Sequence, residues 1–154
     1  MNNEAELVAA LNTVASGGDD EIAFASDIML TRPLPFILFE EPFTIEGNGF
    51  TLDADRQSRA LTIITGVEVA IRNLTIANGF ALGGFGSDGG GGGAGIGGGL
   101  FFLGYLGGSL ALEGVTFQGN EAQGGDGGEG SGGGGGGFGS ARGGFGSFGG
   151  GGGG

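Results

Sequence analysis

The chain has 154 residues, room for one domain, and no cysteine, so stability has to come from packing and backbone hydrogen bonds. Its 17 acidic groups face five arginines, with no lysine and no histidine, and the resulting charge of −12 argues against nucleic acid and anionic membrane as partners; cations are better counterparts. No long apolar run is present, and the opening MNNEAELVAA has neither a basic nor an apolar leader region, so this segment does not insert into a membrane and any export signal lies elsewhere.

In chain order, Leu7, Ala10, Leu11 and Val14 fall on one helical face, with Glu4 and Glu6 at the positive end. They predict a short amphipathic helix over 4–15, stopped by Ser16, Gly17 and Gly18. From there the period shortens to two. Apolar alternation predicts strands over 21–25, 27–30, 36–39, 43–46, 50–53, 61–64, 67–71 and 74–77, separated by Gly, Asn and Pro turns.

Glycine supplies 44 residues, of which six precede Phe80 and 38 follow. Residues 69–79, VAIRNLTIANG, superpose without a gap on 110–120, LALEGVTFQGN, and Phe43, Thr44, Ile45, Glu46, Gly47 and Asn48 repeat the second half of that unit. A strand-turn-strand unit that recurs with no helix between copies is the pattern of a solenoid, in which each coil buries its apolar face against its neighbours. The wide spacing of the two long copies fits if residues 80–99 loop out of one coil as an insertion. The domain reading is therefore a solenoid over 1–128 carrying that insertion, then a glycine-rich tract over 129–154, a second insertion or tail. The run of six glycines after Phe148 reads as a cut within a longer tract.

The leading helix, GGDDEIAF, FTIEGNGFTLDA, VAIRNLTIANG, the glycine-rich insert and LALEGVTFQGNEAQGGDGG together resemble the right-handed parallel β-helix repeats of bacterial surface proteins, autotransporter-like and polymorphic outer-membrane-type adhesins. The resemblance covers about Glu4 to Gly128. It implies an all-β fold with a helix capping the first coil. Leu74, Ile76, Val115, Phe117, Phe43 and Ile45 would point inward; Thr44, Thr75 and Thr116 would line up outside; Asn48, Asn73, Asn78 and Asn120 would sit in turns. The architecture hosts adhesins, fibre subunits, phage tail parts and polysaccharide lyases, so fold alone selects none of them.

Four chemistries deserve weighing. Asp53, Asp55, Arg56 and Arg59, with Glu68 and Arg72 beyond, are the densest charged stretch, either a lyase-like site or a solvated turn; with no histidine, cysteine or nucleophile elbow, the turn is the better reading and no catalytic residue is assigned. GGFGSD at 83–88 matches the start of a calcium nonapeptide and makes Asp88 a metal candidate, but Gly90 stands where an apolar residue belongs and no tandem copy follows. The GxGxxG matches lack a following GK[ST], so no nucleotide cofactor is expected. One Thr per strand, without TxT pairs, makes a weak ice-binding surface, and the glycine tract shows no strict three-residue period.

A pure linker has no use for phenylalanine. Phe85, Ile96, Phe138, Phe145 and Phe148, spaced along the glycine tracts, therefore mark an interaction surface, on extended segments packed side by side as in polyglycine II. The expectation is a noncatalytic structural or adhesive module, extracellular or at a bacterial cell surface. Its partners would be further copies, neighbouring subunits or surface glycans, and it could build a fibre. A carbohydrate-binding or lyase-like β-helix, with a groove near Tyr105, and a phage tail-tip receptor-binding protein are the alternatives.

Overall fold

In the computed structural model, which describes residues 1–14, 20–35, 37–39 and 41–130, the chain is rich in short parallel strands and carries one short helix. That helix, α1, spans Glu4–Val14. Asn3 caps it reciprocally: the Glu6 N–H donates to Asn3 Oδ1 at 3.0 Å, and Asn3 Nδ2 donates back to Glu6 Oε1 at 3.0 Å. Leu7 and Leu11 are buried, and Ala10 packs beside them. The predicted stop at Ser16 to Gly18 lies outside the described residues.

Residues before the helix run along the edge of the first strand. The Met1 ammonium donates to the Ala23 carbonyl at 2.6 Å, Ala25 N–H donates to the Met1 carbonyl at 2.8 Å, and Ser26 Oγ donates to the Asn2 carbonyl at 2.9 Å. Glu4 fastens the helix to the loop beyond: its carboxylate accepts from Thr31 Oγ1 at 2.6 Å and from Thr31 N–H at 3.2 Å, with Arg32 at 3.6 Å. These bonds, that from the Thr31 hydroxyl first, hold the Glu4 carboxyl below its ordinary value of 4.5. A depressed carboxyl stabilises the fold above its unfolded pKa and stops doing so as pH falls through the folded one. Acidification below about pH 4.5 is therefore expected to loosen α1 from residues 31–32, and Glu4→Gln to flatten that dependence. Amide protection factors across α1 as a function of pH measure both.

Thirteen strands follow among the described residues. β1 (Glu21–Ala23), β4 (Phe43–Glu46), β7 (Glu68–Arg72) and β11 (Ser109–Glu113) form a first sheet in that order; β2 (Ile28–Met29), β5 (Thr51–Asp53), β8 (Thr75–Ala77) and β12 (Thr116–Gln118) form a second. β3 (Ile37–Phe39), β6 (Leu61–Thr65) and β10 (Leu100–Gly104) form a third, and β9 (Phe80–Leu82) with β13 (Glu121–Gln123) a fourth. Every pairing is parallel. The chain divides into two units: Met1–Gly79 with Gly99–Asn120, holding α1 and the first three sheets, and Phe80–Gly98 with Glu121 onward, holding the fourth.

In the first unit, register stacks like on like. Ile22, Ile45, Ile71 and Leu112 stand opposite one another in the first sheet, as do Ile28, Leu52, Ile76 and Phe117 in the second. In the third sheet Leu61 faces Leu100 and Ile63 faces Phe102. The period-two alternation delivers these side chains to a single core, and each fully buried aliphatic contributes about 1.5–3 kcal/mol. Val69 meets Leu110 in the register that the repeat predicts, 41 residues apart like the Arg72–Glu113 pair beside it.

Several expectations need correcting. Phe43 and Ile45 are buried as predicted, but β4 belongs with β7, so Thr44 stands opposite Ala70. The aligned threonines are Thr51, Thr75 and Thr116. Phe43-Thr-Ile and Leu74-Thr-Ile share a pattern, and short-range similarity chose the wrong sheet. Phe117 is 48% exposed and Val115 only partly covered, because among the described residues no strand pairs beyond β12. Asn48, Asn73 and Asn78 do occupy left-handed turns, at φ 51, 48 and 52°. At the next corner the left-handed residue is Gly119, and Asn120 serves through its side chain, accepting from Gly79 N–H at 2.7 Å and donating to the Ile76 carbonyl at 2.8 Å.

The second unit is a three-segment bundle. After β9 the chain runs to a tight turn at Ser87–Gly90, where Gly90 N–H donates to the Ser87 carbonyl at 2.7 Å and Asp88 and Gly89 take φ of 49 and 80°. Both signs are those of a type I′ turn, for which Asp-Gly is a favoured pair. Residues 90–98 return antiparallel, bonded by Gly93 N–H to the Gly84 carbonyl at 2.6 Å. The segment after β13 joins both: Gly83 and Gly86 donate to Gln123 and Asp126 at 2.8 and 2.7 Å, and Gly125 and Gly128 donate to Gly93 and Gly90 at 2.8 Å each. The segments touch through positions where a Cβ would overlap neighbouring backbone: Gly83 and Gly86, Gly92, Gly95 and Gly98, Gly125 and Gly128. These recur every third residue on each segment, which is the period of a polyglycine II helix. A three-residue period is therefore present in packing, contrary to the sequence reading.

Candidate interaction surface

In the first unit, β10, β11 and β12 are the last strands of their three sheets. Their inward side chains continue the core columns, and among the described residues of this unit no strand pairs with them on their far side. Ile71 is wholly buried whereas Leu112 opposite it is 44% exposed, and Ile76 is wholly buried whereas Phe117 is 48% exposed. Leu100, Phe102, Leu110 and Val115 are partly covered. The three strands bond backward, as in Asn73 N–H to the Glu113 carbonyl at 2.8 Å and Asn78 N–H to the Gln118 carbonyl at 2.9 Å, so their outer edges face away from the array. Among these strands the only charged side chain is Glu113, and Arg72 Nε pairs with it at 3.0 Å.

The connection from β10 to β11 adds a second apolar feature. Tyr105–Gly108 is another tight turn, closed by Gly108 N–H to the Tyr105 carbonyl at 2.8 Å, with Leu106 at φ 48° and Gly107 at φ 96°. Leu106 is 92% exposed. A leucine in left-handed backbone costs about 1–2 kcal/mol against glycine, and here no burial offsets it. Tyr105, half-exposed, anchors the turn by donating its N–H to the Thr65 carbonyl at 2.9 Å.

The residues singled out from sequence are distributed differently. In the second unit Phe85 is exposed and Ile96 is half-buried; Phe138, Phe145 and Phe148 lie outside the described residues. Asp88 sits at the tip of the Ser87–Gly90 turn, and among the described residues no group of three or more His, Cys, Asp or Glu is placed to hold a metal ion.

The charged stretch in the first unit is knitted into a turn. Both Asp53 carboxylate oxygens accept from Asn78 Nδ2 at 3.0 Å, and one accepts from Asp55 N–H at 2.8 Å. Asp55 and Arg56 are left-handed, at φ 47 and 56°, and Arg56 N–H donates to the Asn78 carbonyl at 2.8 Å. Arg59 lies 5.0 Å over the Phe101 ring and donates to Thr62 Oγ1 at 3.3 Å. Partial burial lowers its pKa, yet a guanidinium stays charged. On the outward face of the first sheet Thr44 and Ala70 floor a shallow depression of about 220 Å³ walled by Asp20, Glu68 and Arg72.

Sequence reading missed Leu103, Leu106 and Leu112 as exposed apolar groups. Leu106 carried a signal: leucine before Gly-Gly, where turn chemistry favours Asn or Gly. Leu112 carried none, since its strand reads like its buried neighbour. Among the described residues no helix is long and apolar enough to cross a membrane. No protein family, curated protein or solved structure matches the chain.

Proposed function

We propose that the chain is a segment of a right-handed parallel β-helix that serves as a noncatalytic structural or adhesive module at an extracellular bacterial surface. One observation carries this reading. Strands β1 to β8 join the first, second and third sheets in strict rotation, always in parallel, with aliphatic columns inside and threonines outside. Such a rotation gives a rigid column whose length grows by coils. The Asp53 carboxylate is bonded into a turn and the Arg59 guanidinium lies over a ring, which suits a scaffold. The glycine bundle adds a second, distinct surface on which Phe85 is presented.

Nitroxide labels at Thr51→Cys and Thr116→Cys test the architecture. Two strand spacings put their backbones about 10 Å apart, and strong dipolar broadening is the expected result. Labels well beyond 20 Å would sink the β-helix reading. Beads coated with the chain should adhere to bacterial surfaces and release no unsaturated sugars from uronate polysaccharides. Release of such products would replace the scaffold with a lyase.

A further inference from the structure

We propose that two copies of the chain dock through the open ends of their first units, edge to edge about a two-fold axis, and that assembly stops at the pair. This rests on the β-helix reading, under which Leu112, Phe117 and their partly covered neighbours form the unclosed end of a continuous apolar core. At the opposite end that core is closed. Leu7 and Leu11 of α1 are buried in it, and Met1 bonds the Ala23 carbonyl of β1 and the Ala25 N–H just beyond that strand. With Leu7 and Leu11 of α1 seated in the core there, head-to-tail stacking into a fibre would first have to strip α1 away. The complement of an open end is another open end. Such an isologous contact closes on itself, whereas a head-to-tail one propagates.

Charge argues for a second copy as the occupant. The chain carries −12, so a cationic partner would be drawn to its acidic flanks. The terminal strands instead bear one carboxylate, already paired with Arg72, and form the surface on which two strongly acidic chains can meet without opposing charges. Leu106, exposed and left-handed at the tip between β10 and β11, supplies an independent sign. A residue that strains the monomer and buries nothing there is explained when a partner covers it.

Sedimentation velocity on the full chain up to about 200 µM tests the proposal, with a dimer dissociation constant of about 1–100 µM expected. Added salt should tighten the pair, because it screens repulsion between two acidic bodies. Leu112→Gln with Phe117→Gln should weaken pairing at least about tenfold. Leu106→Asn guards against a variant that merely misfolds: it should weaken pairing while raising the melting temperature of the monomer by about 2–4 °C. Assemblies that grow past two copies, undiminished pairing in the variants, or a monomer at the highest concentration would each overturn the proposal, whether that monomer's end is bare or covered by its own chain. If the Thr51 and Thr116 labels remain close in a chain that never pairs, only the docking fails; if they are far apart, the β-helix fails with it.

Discussion

Gly92→Ala is expected to dismantle the glycine bundle while leaving the first unit folded. A Cβ on Gly92 would fall on the Gly125 carbonyl, and the obstructing atoms are backbone, which cannot swing aside as a side chain can. The segments would have to part by more than an ångström. That breaks the bonds from Gly93 to Gly84 and from Gly125 to Gly93, each worth about 0.5–1.5 kcal/mol, and adds the overpacking strain. The sum is about 3 kcal/mol or more, a large fraction of what a small unit has. Gly124→Ala is the matched control: its nearest new neighbour, the Gly93 carbonyl, would be 3.6 Å away, an ordinary contact. Amide exchange should show protection at Gly83, Gly86, Gly93, Gly125 and Gly128 lost in the first variant and kept in the second. Equal protection in both would mean that the segments are not packed through these positions.

The other large effect lies in the core of the first unit. Ile76 is wholly buried between Leu52 and Phe117, and Ile76→Ala removes the middle of that column, at a cost of about 2–5 kcal/mol. Phe117→Ala, one strand further, deletes a larger side chain yet should cost less, about 1–2 kcal/mol, because half of that ring already faces solvent. This inverted order is the discriminating result. Chemical denaturation of both variants measures it, and a Phe117→Ala cost above that of Ile76→Ala would show the ring buried in the folded chain.

How much of this was legible can be argued from individual residues. Strands β1 to β8 could be read directly, since Val69, Ile71, Leu74 and Ile76 alternate with exposed or small residues in runs too short for helices. Which sheet each strand joins was harder: Phe43 and Phe50 both precede a threonine and an aliphatic residue, and the three-residue match in the sequence cannot say that Thr51, rather than Thr44, aligns with Thr75. The glycine lattice was hidden by its own composition. A period can be seen only where residues differ, and here it lies in where other residues are missing: Phe85, Asp88, Ala94, Ile96 and Asp126 all avoid the positions that a Cβ would block. The exposed end was illegible for another reason. Leu112 and Phe117 are what a buried strand would also use, and only the sheet order reveals that, among the described residues, no strand pairs beyond theirs.

The excursion through residues 80–98 also bears on how the chain reaches its fold. Up to β8 each new strand lands on a neighbour close behind it in sequence, as Thr51 does on Asp27, 24 residues earlier. β11 and β12 must wait for a loop of 41. Loop-closure entropy rises only with the logarithm of length, so the longer step costs about 0.5 kcal/mol more. That is small for stability, yet it sets an order: the helix-capped strands can assemble as the chain emerges, and the terminal strands add last, onto a finished template. The sheet edges left unpaired among the described residues of the first unit are then also the growing front of its folding.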